Sequence, residues 1–428
     1  MMTAAATYRR VLALSGPLLP VVSFLGRLPT AMCQLGTVLL VAATSGSLTT
    51  AGLVGGALAA GQTVAGPLTG RLADRHGQRP VVLVACWVNA LAVAALVAAA
   101  LARMATPPLT LIALLAGASV PQIGPLARTR LVALAHRAAA EDRVVSAALS
   151  LEGTLDEVSF VLGPALVGLA ATVAHPAVAL ALAALLPAVC GTAFALHPTA
   201  AVTRPAADPS ARGTRTPRPR PARTRMPRAV HAVRLSTALQ GAMFGACQAG
   251  ITALTERLHQ PAQAGLVYAA MGVMSAAAGL SLALVPARIG LPARWRAAAA
   301  ALIVLSVPLL FVGSMGALYL VVVVLGVAFA PHLITLFGLT ERLVPATRLA
   351  ESMAFLTSAV VGGQAVALAV SGRLADAQGP AAAFAVAVGA AVLVLVVALT
   401  TRAGARPTVP VRASRPGRGT APDRAPAP

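Results

Sequence analysis

Apolar residues recur along this chain in long unbroken runs. They show neither the strict alternation of a strand nor the one-sided stripe of a soluble amphipathic helix. The runs occupy residues 18–43, 49–69, 80–102, 107–127, 144–173 and 177–197. After an interruption they resume at 235–255, 262–287, 297–315, 316–340, 352–371 and 380–400. An α-helix needs roughly 20 apolar residues to cross hydrocarbon, because each residue rises about 1.5 Å. The pattern therefore predicts an all-α integral membrane protein with twelve transmembrane helices in two six-helix halves. The halves fall at 1–197 and 235–402, with a linker at 198–234 and a tail at 403–428.

Composition supports lipid as the solvent. Of 428 residues, 58% are hydrophobic and 11% charged, against about 25% charged in a typical soluble domain. The net charge of +21 raises the question of nucleic acid, but aromatics make up only 3% of the chain. A stacking platform for bases would need more of them. Every basic side chain apart from histidine is arginine, and the arginines are sorted. With the N-terminus inside, 29 of 33 fall in segments on the cytoplasmic side, as the positive-inside rule requires. The opposite side holds Arg103, Arg257 and Arg373, and Arg27 lies within the first span. This predicts a multi-pass protein of a bacterial plasma membrane with both termini cytoplasmic.

The linker "RGTRTPRPRPARTRMPR" and the tail are rich in Pro and Arg, and neither can build a core. The linker is suited to rest on anionic headgroups, at about 1 kcal/mol per basic residue. Arg9 and Arg10 precede an apolar stretch as in a signal peptide, but that stretch runs on without a cleavage site, so the first helix is retained. Cys33, Cys86, Cys190 and Cys247 each sit in a different run, as packing residues without metal or disulfide spacing. No cofactor is expected.

Between the second and third runs stands Gly66-Pro67-Leu68-Thr69-Gly70-Arg71-Leu72-Ala73-Asp74-Arg75-His76-Gly77-Gln78-Arg79. This resembles the signature loop of the major facilitator superfamily, with Gly70, Asp74, Arg75, Gly77 and Arg79 matching and Gln78 replacing a usual basic residue. Gly70 allows close helix approach, Gly77 a tight reversal. Asp74 can pair with arginine or sit against a helix N-terminus. The resemblance implies a transporter working by alternating access, with this loop latching its two halves in one access state. The string "GRLAD" recurs at 372–376; by parity it falls in an outer turn and is not a second latch.

The fifth run carries Gly153, Gly163-Pro164 and Gly168. This is similar to the G…GP motif of the superfamily's exporter branches, where Gly-Pro bends a cavity-lining helix, although Val167 stands where a glycine is usual. It implies efflux of a drug or metabolite. The proton-coupled exporters also carry an arginine inside the fourth span; here none precedes Arg128, placed at that span's cytoplasmic end, which argues against inheriting proton antiport.

Glu152, Asp156 and Glu157 all fall in the fifth run. Asp156 and Glu157 point about 100° apart on a helix and so serve different ends. Either one lines a central cavity, binding a proton or a cationic substrate, or it pairs with an arginine of a neighbouring helix; for Glu152 pairing is the expectation. Arg27 either contacts Asp156, Glu157 or an anionic substrate, or snorkels to the surface. Gln34, Gln122 and Gln248, with Gln62, Asn89, Gln240 and Gln364, are further cavity candidates, each equally able to bond between helices. Glu351 is placed to stabilise the start of the eleventh helix and to meet the Asp74 loop.

The expected partners are a small-molecule substrate, protons and the bilayer, with a monomer sufficient. Alternatives are an importer or facilitator of a polar metabolite, a membrane sensor, or a membrane-embedded enzyme. The loops are too short for a sensor domain, and the seven histidines are scattered without metalloenzyme spacing.

Overall fold

A computed structural model describes residues 4–203, 226–286 and 288–401. Every regular element among them is helical. In chain order these are α1 (Ala4–Ser15), α2 (Leu18–Ser45), α3 (Leu48–His76), α4 (Gln78–Leu101), α5 (Thr106–Ala118), α6 (Ile123–Arg137), α7 (Asp142–Val173), α8 (Pro176–Leu186) and α9 (Thr192–Leu196). They continue with α10 (Arg228–Arg257), α11 (Ala264–Ser281), α12 (Leu291–Ser306), α13 (Met315–Leu343), α14 (Leu349–Gln378) and α15 (Pro380–Thr400). The interruption predicted at 198–234 is helical at both ends, with a 3-10 turn at Pro198–Thr203 and α10 already under way at Arg228. The charged core of that segment and the tail beyond Thr401 lie outside the described residues.

Ten helices among the described residues are long and apolar enough to cross a membrane, counting α5–α6 and α8–α9 as one each. The two remaining long helices, α3 and α10, have 29 and 30 residues, with glutamines and charged ends lowering their hydropathy and many small residues along their length. Those residues are contact points. A Cβ at Gly61 would overlap the Leu114 carbonyl, and one at Gly117 would overlap Leu58, so α3 and α5 meet backbone to backbone. Gly241 and Gly245 of α10 lie against the α14 backbone at Val360 and Gln364, and Gly363 of α14 returns the contact at Ala238. With lipid on the outside there is little hydrophobic drive between helices, so close packing of this kind holds them together. Large side chains such as Val64, Val173 and Phe311 are 71%, 77% and 81% exposed, as a lipid-facing surface requires.

Two differences from the sequence pattern matter for function. First, the fourth span does not end before Arg128. The chain breaks at Ser119–Gln122, where Gln122 adopts φ 52°, and then continues as α6 to Arg137. Arg128 and Arg130 are fully buried rather than at a helix end. Second, α1 is a separate helix, ended by Gly16 at φ 70°. It packs on α6 and α7, while its Tyr8 hydroxyl donates to the Leu280 carbonyl of α11 at 2.8 Å. The recurrent "GRLAD" strings prove equivalent in form: each closes a helix, and Gly77 (φ 83°) and Gly379 (φ 87°) then reverse the chain directly into the next one.

Gly117→Val should force α3 and α5 apart. Overpacking of this kind costs about 1–3 kcal/mol. The expected result is a lower unfolding temperature in detergent than for the parent, with Ala174→Val at the exposed helix end as a neutral control.

Candidate functional site

Four ionisable side chains meet in the interior where α2, α6 and α7 converge. Glu152 and Asp156 are one helical turn apart on α7 and share a face. Arg27 of α2 forms ion pairs with both: Nη2 to the Glu152 carboxylate, and Nη1 to Asp156 Oδ1 at 2.7 Å. The same guanidinium donates to the Glu152 carbonyl at 3.1 Å and, one turn back on its own helix, to Ser23 Oγ at 2.9 Å. Arg128 of α6 takes the other Asp156 oxygen. Gly124 makes room for this cluster, because a Cβ there would lie 3.0 Å from Asp156 Oδ1 and 3.8 Å from Arg27 Nη1. Two guanidiniums and two carboxylates sum to zero charge.

The expectation for Arg27 is thus resolved in favour of the carboxylates, and Asp156 and Glu152 both take the pairing arrangement. An isolated charge at the bilayer centre costs about 2.5–3.5 kcal/mol on insertion scales, so mutual pairing is what makes four of them tolerable. Arg128 reaches further. Its Nε and Nη1 have no hydrogen-bond partner, but its guanidinium carbon lies 3.7 Å from the centroid of the Phe337 ring on α13, a cation–π contact. Arg130 is satisfied separately by Gln78 Oε1 at 2.9 and 3.1 Å and by the Phe194 carbonyl at 2.9 Å. The signature-loop departure at Gln78 has a physical reason here, since an arginine at that buried position would face Arg130 instead of accepting from it.

Glu157 points elsewhere. It is 7% exposed and lines a chamber of about 650 Å³, mouth included, with Asp156, Phe160, Phe244, Tyr268, Phe337 and Gln364. The Ser275 hydroxyl bonds to its carboxylate. A second, smaller cavity of about 390 Å³ is lined by Arg27, Gln62, Gln122, Asp156 and Phe160 among others. Of the candidate glutamines, Gln122 lines this second cavity. Gln34 donates to Gln62 at 3.5 Å, and Gln248 accepts from Gln364 at 3.3 Å. Asn89 donates to the Ala116 carbonyl at 2.7 Å. Gln240 pairs with the buried His332 at 2.5 Å and takes no part in either cavity. The α7 helix runs on through Gly163-Pro164, and Gly163 lets α2 approach at Ala31 and Met32.

At one end of the bundle the chain is closed. Asp74 Oδ1 and Oδ2 accept from the backbone N–H groups of Ala350 at 3.0 Å and Glu351 at 2.8 Å, the first turn of α14. Those donors have no partner within their own helix, and the helix dipole favours an anion there. Gly70 is indispensable to this approach, because a Cβ would lie 2.5 Å from the Ala350 carbonyl oxygen and 2.8 Å from Glu351 Cα. Arg348 grips Glu351 at 3.0 and 3.1 Å. On the same end Arg342 meets Asp142 at 3.1 Å and His136 meets Glu341 at 3.3 Å. Arg75 and Arg79 are exposed.

Sequence reasoning offered Arg128 and Arg130 only as partners for Glu152 at the cytoplasmic end of the fourth span, whereas Arg128 is buried and pairs with Asp156; it missed Gly124 and the aromatic wall. Arg128 had a weak signal, in that apolar residues resume at Leu131–Leu134 just beyond it. The aromatics had none, being scattered one or two to a helix.

A bundle of apolar helices with paired charges at its centre, a chamber beside them and a closure at one end is the architecture of a polytopic transporter. A sequence model of the Major Facilitator Superfamily matches residues 21–347, and the chain belongs to that family. No curated protein sequence matches it. Among solved structures it is similar to the human organic anion transporter MFSD10 (TETRAN), at 19% identity and TM-score 0.65 over 91% of this chain and 99% of that one. A bacterial homologue of the iron transporter ferroportin in its outward-facing state aligns at 17% identity and TM-score 0.69, over 89% and 98%. The transporter FucP in the outward conformation aligns at 16% and 0.60, over 90% and 98%. These likenesses concern the fold.

Two outcomes are expected. Removing one partner of a buried pair costs about 3–5 kcal/mol, so Arg27→Leu should sharply lower thermal stability in detergent, and adding Glu152→Leu should recover much of the loss. Burial raises the Asp74 pKa to about 6 from 3.8 against the two backbone donors, with Glu351 adding to the rise and Arg348 opposing it. A raised value in the closed form means that this form binds the proton more tightly than an open, solvated one. Its stabilisation is full below the ordinary value and is lost as pH rises through about 6. Spin-label distances between positions 137 and 346 should therefore show the closed population growing on acidification from neutrality. Asp74→Asn should remove that dependence.

Proposed function

We propose that this protein is a secondary active transporter that exports a small molecule by alternating access. In this reading twelve helices span the bacterial plasma membrane as two six-helix halves, α2–α9 and α10–α15. The basic 198–234 segment joins them on the cytoplasmic side, and both termini lie there too. The monomer suffices. Gly70, Asp74, Arg75, Gly77 and Arg79 form the latch, and the Asp74 bonds to α14 are the observation that carries the proposal. They tie a helix of the first half to the start of a helix in the second, beside the exposed Arg342–Asp142 ion pair and the His136–Glu341 contact, which also join the halves. Such contacts are weak enough to break and re-form in a cycle.

Closure at the Asp74 end leaves the chamber between α7, α10, α11, α13 and α14 for exchange with the other side. That corresponds to the outward state in which FucP and the ferroportin homologue were solved. The G…GP resemblance on α7 supports efflux over uptake, and buried carboxylates at the chamber support coupling to protons.

The test is a deletion strain and an overexpressing strain challenged with a panel of toxic compounds and metabolites, read by intracellular accumulation. Overexpression should lower accumulation of at least one compound by several-fold, and Gly70→Leu should abolish the difference while the protein stays in the membrane. A compound whose accumulation rises with overexpression would reverse the direction.

A further inference from the structure

The short α1 helix belongs to the first half by packing and reaches the second through Tyr8. Thr7, Val11 and Ser15, spaced four apart, form its buried stripe. Val11 joins a core with Leu131 of α6 and Val144, Ala147 and Ala148 of α7, and Tyr8 and Leu14 pack on that core from outside. The Tyr8 hydroxyl then crosses over, donating to the Leu280 carbonyl of α11 at 2.8 Å. Ser150 of α7 bonds to the same phenol. Tyr8 thus bridges α7 and α11. Leu280 stands in the last turn of α11, where carbonyls run short of donors within the helix.

This seam is the counterpart of the one that Asp74 closes. Asp74 stands at the end of the second span, α3, and meets the start of the eleventh, α14. In a chain of two repeated halves, six spans on from α3 is α11, and six back from α14 is α7. Those two helices do pack together, Gly279 against Thr154 and Gly272 against Val161. The turn after α11 reads Val285-Pro286-Ala287-Arg288-Ile289-Gly290, with no carboxylate to repeat the Asp74 bond. Nor do the helices fill this end of the seam themselves. A cavity of about 500 Å³, mouth included, opens between Ser146 and Ser150 of α7, Leu282 and Thr335 of α13.

We propose that α1 is a second latch, a strap carried by the first half that holds the α7–α11 seam closed through Tyr8 where the turn after α11 lacks an acid. It rests on the alternating-access reading. When the halves part at this end, α1 stays with α6 and α7, because its apolar stripe is buried there, and the bond from Tyr8 to Leu280 breaks. That bond is solvent-exposed, and a hydrogen bond of this kind is a modest contribution. It biases the balance between the two states without freezing it. The two latches are opposite in polarity: an anion on the free N–H groups that start α14, and a hydroxyl on a carbonyl that ends α11.

The test uses purified full-length protein with two spin-label pairs at exposed positions. One pair, 138 and 290, spans the α7–α11 side; the other, 137 and 346, spans the Asp74 side. Tyr8→Phe keeps the ring and loses only the hydroxyl. Read on the Gly70→Leu background, where the Asp74 approach is blocked, it should raise the open-to-closed ratio about two- to tenfold at both pairs. Conversely, a reducible thiol crosslink between Tyr8→Cys and Leu280→Cys should hold both distances at their closed values, and reductant should release them. A parent-like ratio in Tyr8→Phe overturns the proposal, as does a crosslinked protein that opens as freely as the parent. A lower unfolding temperature with an unchanged ratio makes α1 a structural cap and overturns it too. If Gly70→Leu widens the distances and Tyr8→Phe adds nothing, the strap alone fails. If neither pair widens in any variant, alternating access at this end fails with it.

Discussion

Charge buried where neither water nor lipid can solvate it is the constraint on which the rest of this structure depends. Arg27, Glu152, Asp156 and Arg128 solve it by pairing. Their solution dictates nearby sequence: a serine one turn before Arg27 to take its remaining N–H, and a glycine at 124 because a side chain there would crowd the pair. Arg130 obeys the same constraint by a different route, with the Gln78 amide and a backbone carbonyl replacing carboxylates. The signature-loop position that usually carries a basic residue is thus enlisted to satisfy a buried arginine. In lipid every polar group must find its partner inside the protein, and these residues are where that requirement is strictest.

The distribution of strong and weak contacts suits motion. The paired charges are buried within α2, α6 and α7, and breaking them would cost several kcal/mol, so they bind these helices into one group. Contacts that tie this group and α3 to α13 and α14 are of another kind: a guanidinium over the Phe337 ring, hydrogen bonds from the start of α14 to Asp74 of α3, and the exposed Arg342–Asp142 ion pair. Each is modest and reversible. The glycine contacts between α3 and α5 and between α10 and α14 are contacts of backbone on backbone, which hold each group stiff without polar bonds. Rigid groups meeting at weak contacts are what a rocking mechanism needs.

Much of the architecture was legible because lipid imposes a simple rule on sequence. Runs long enough to span, and the Gly70–Arg79 string in the turn after the second of them, are local features that need no knowledge of neighbours. The same simplicity misled where polar residues are tolerated inside. Hydropathy ended the fourth span at Arg128, because a pattern of composition cannot see that Asp156 lies opposite, 28 positions away in sequence. The α1 helix, too, is short and sided; it lies before the first apolar run, which starts at residue 18, and ends at Gly16 with φ 70°. For Asp156 and Glu157 the helical period established that they face different ways. Only tertiary contacts could say which of them meets the arginines.

Fold alone leaves cargo open, since structures as alike as an organic anion transporter, an iron transporter homologue and FucP share this one. The charge balance of the chamber bears on that question. Here the balance can be drawn from pairing geometry: two positive and two negative groups cancel beside the chamber, with Arg128 stacked on its Phe337 wall, and one further carboxylate faces into it. Moving a single acid by one position along α7, from the arginine-facing stripe to the aromatic-facing stripe, takes it out of the ion pairs and sets it against the chamber wall. The adjacent Asp156 and Glu157 occupy one stripe each, and the roughly 100° between them separates the carboxylate that holds the helices together from the one that is left unpaired at the chamber.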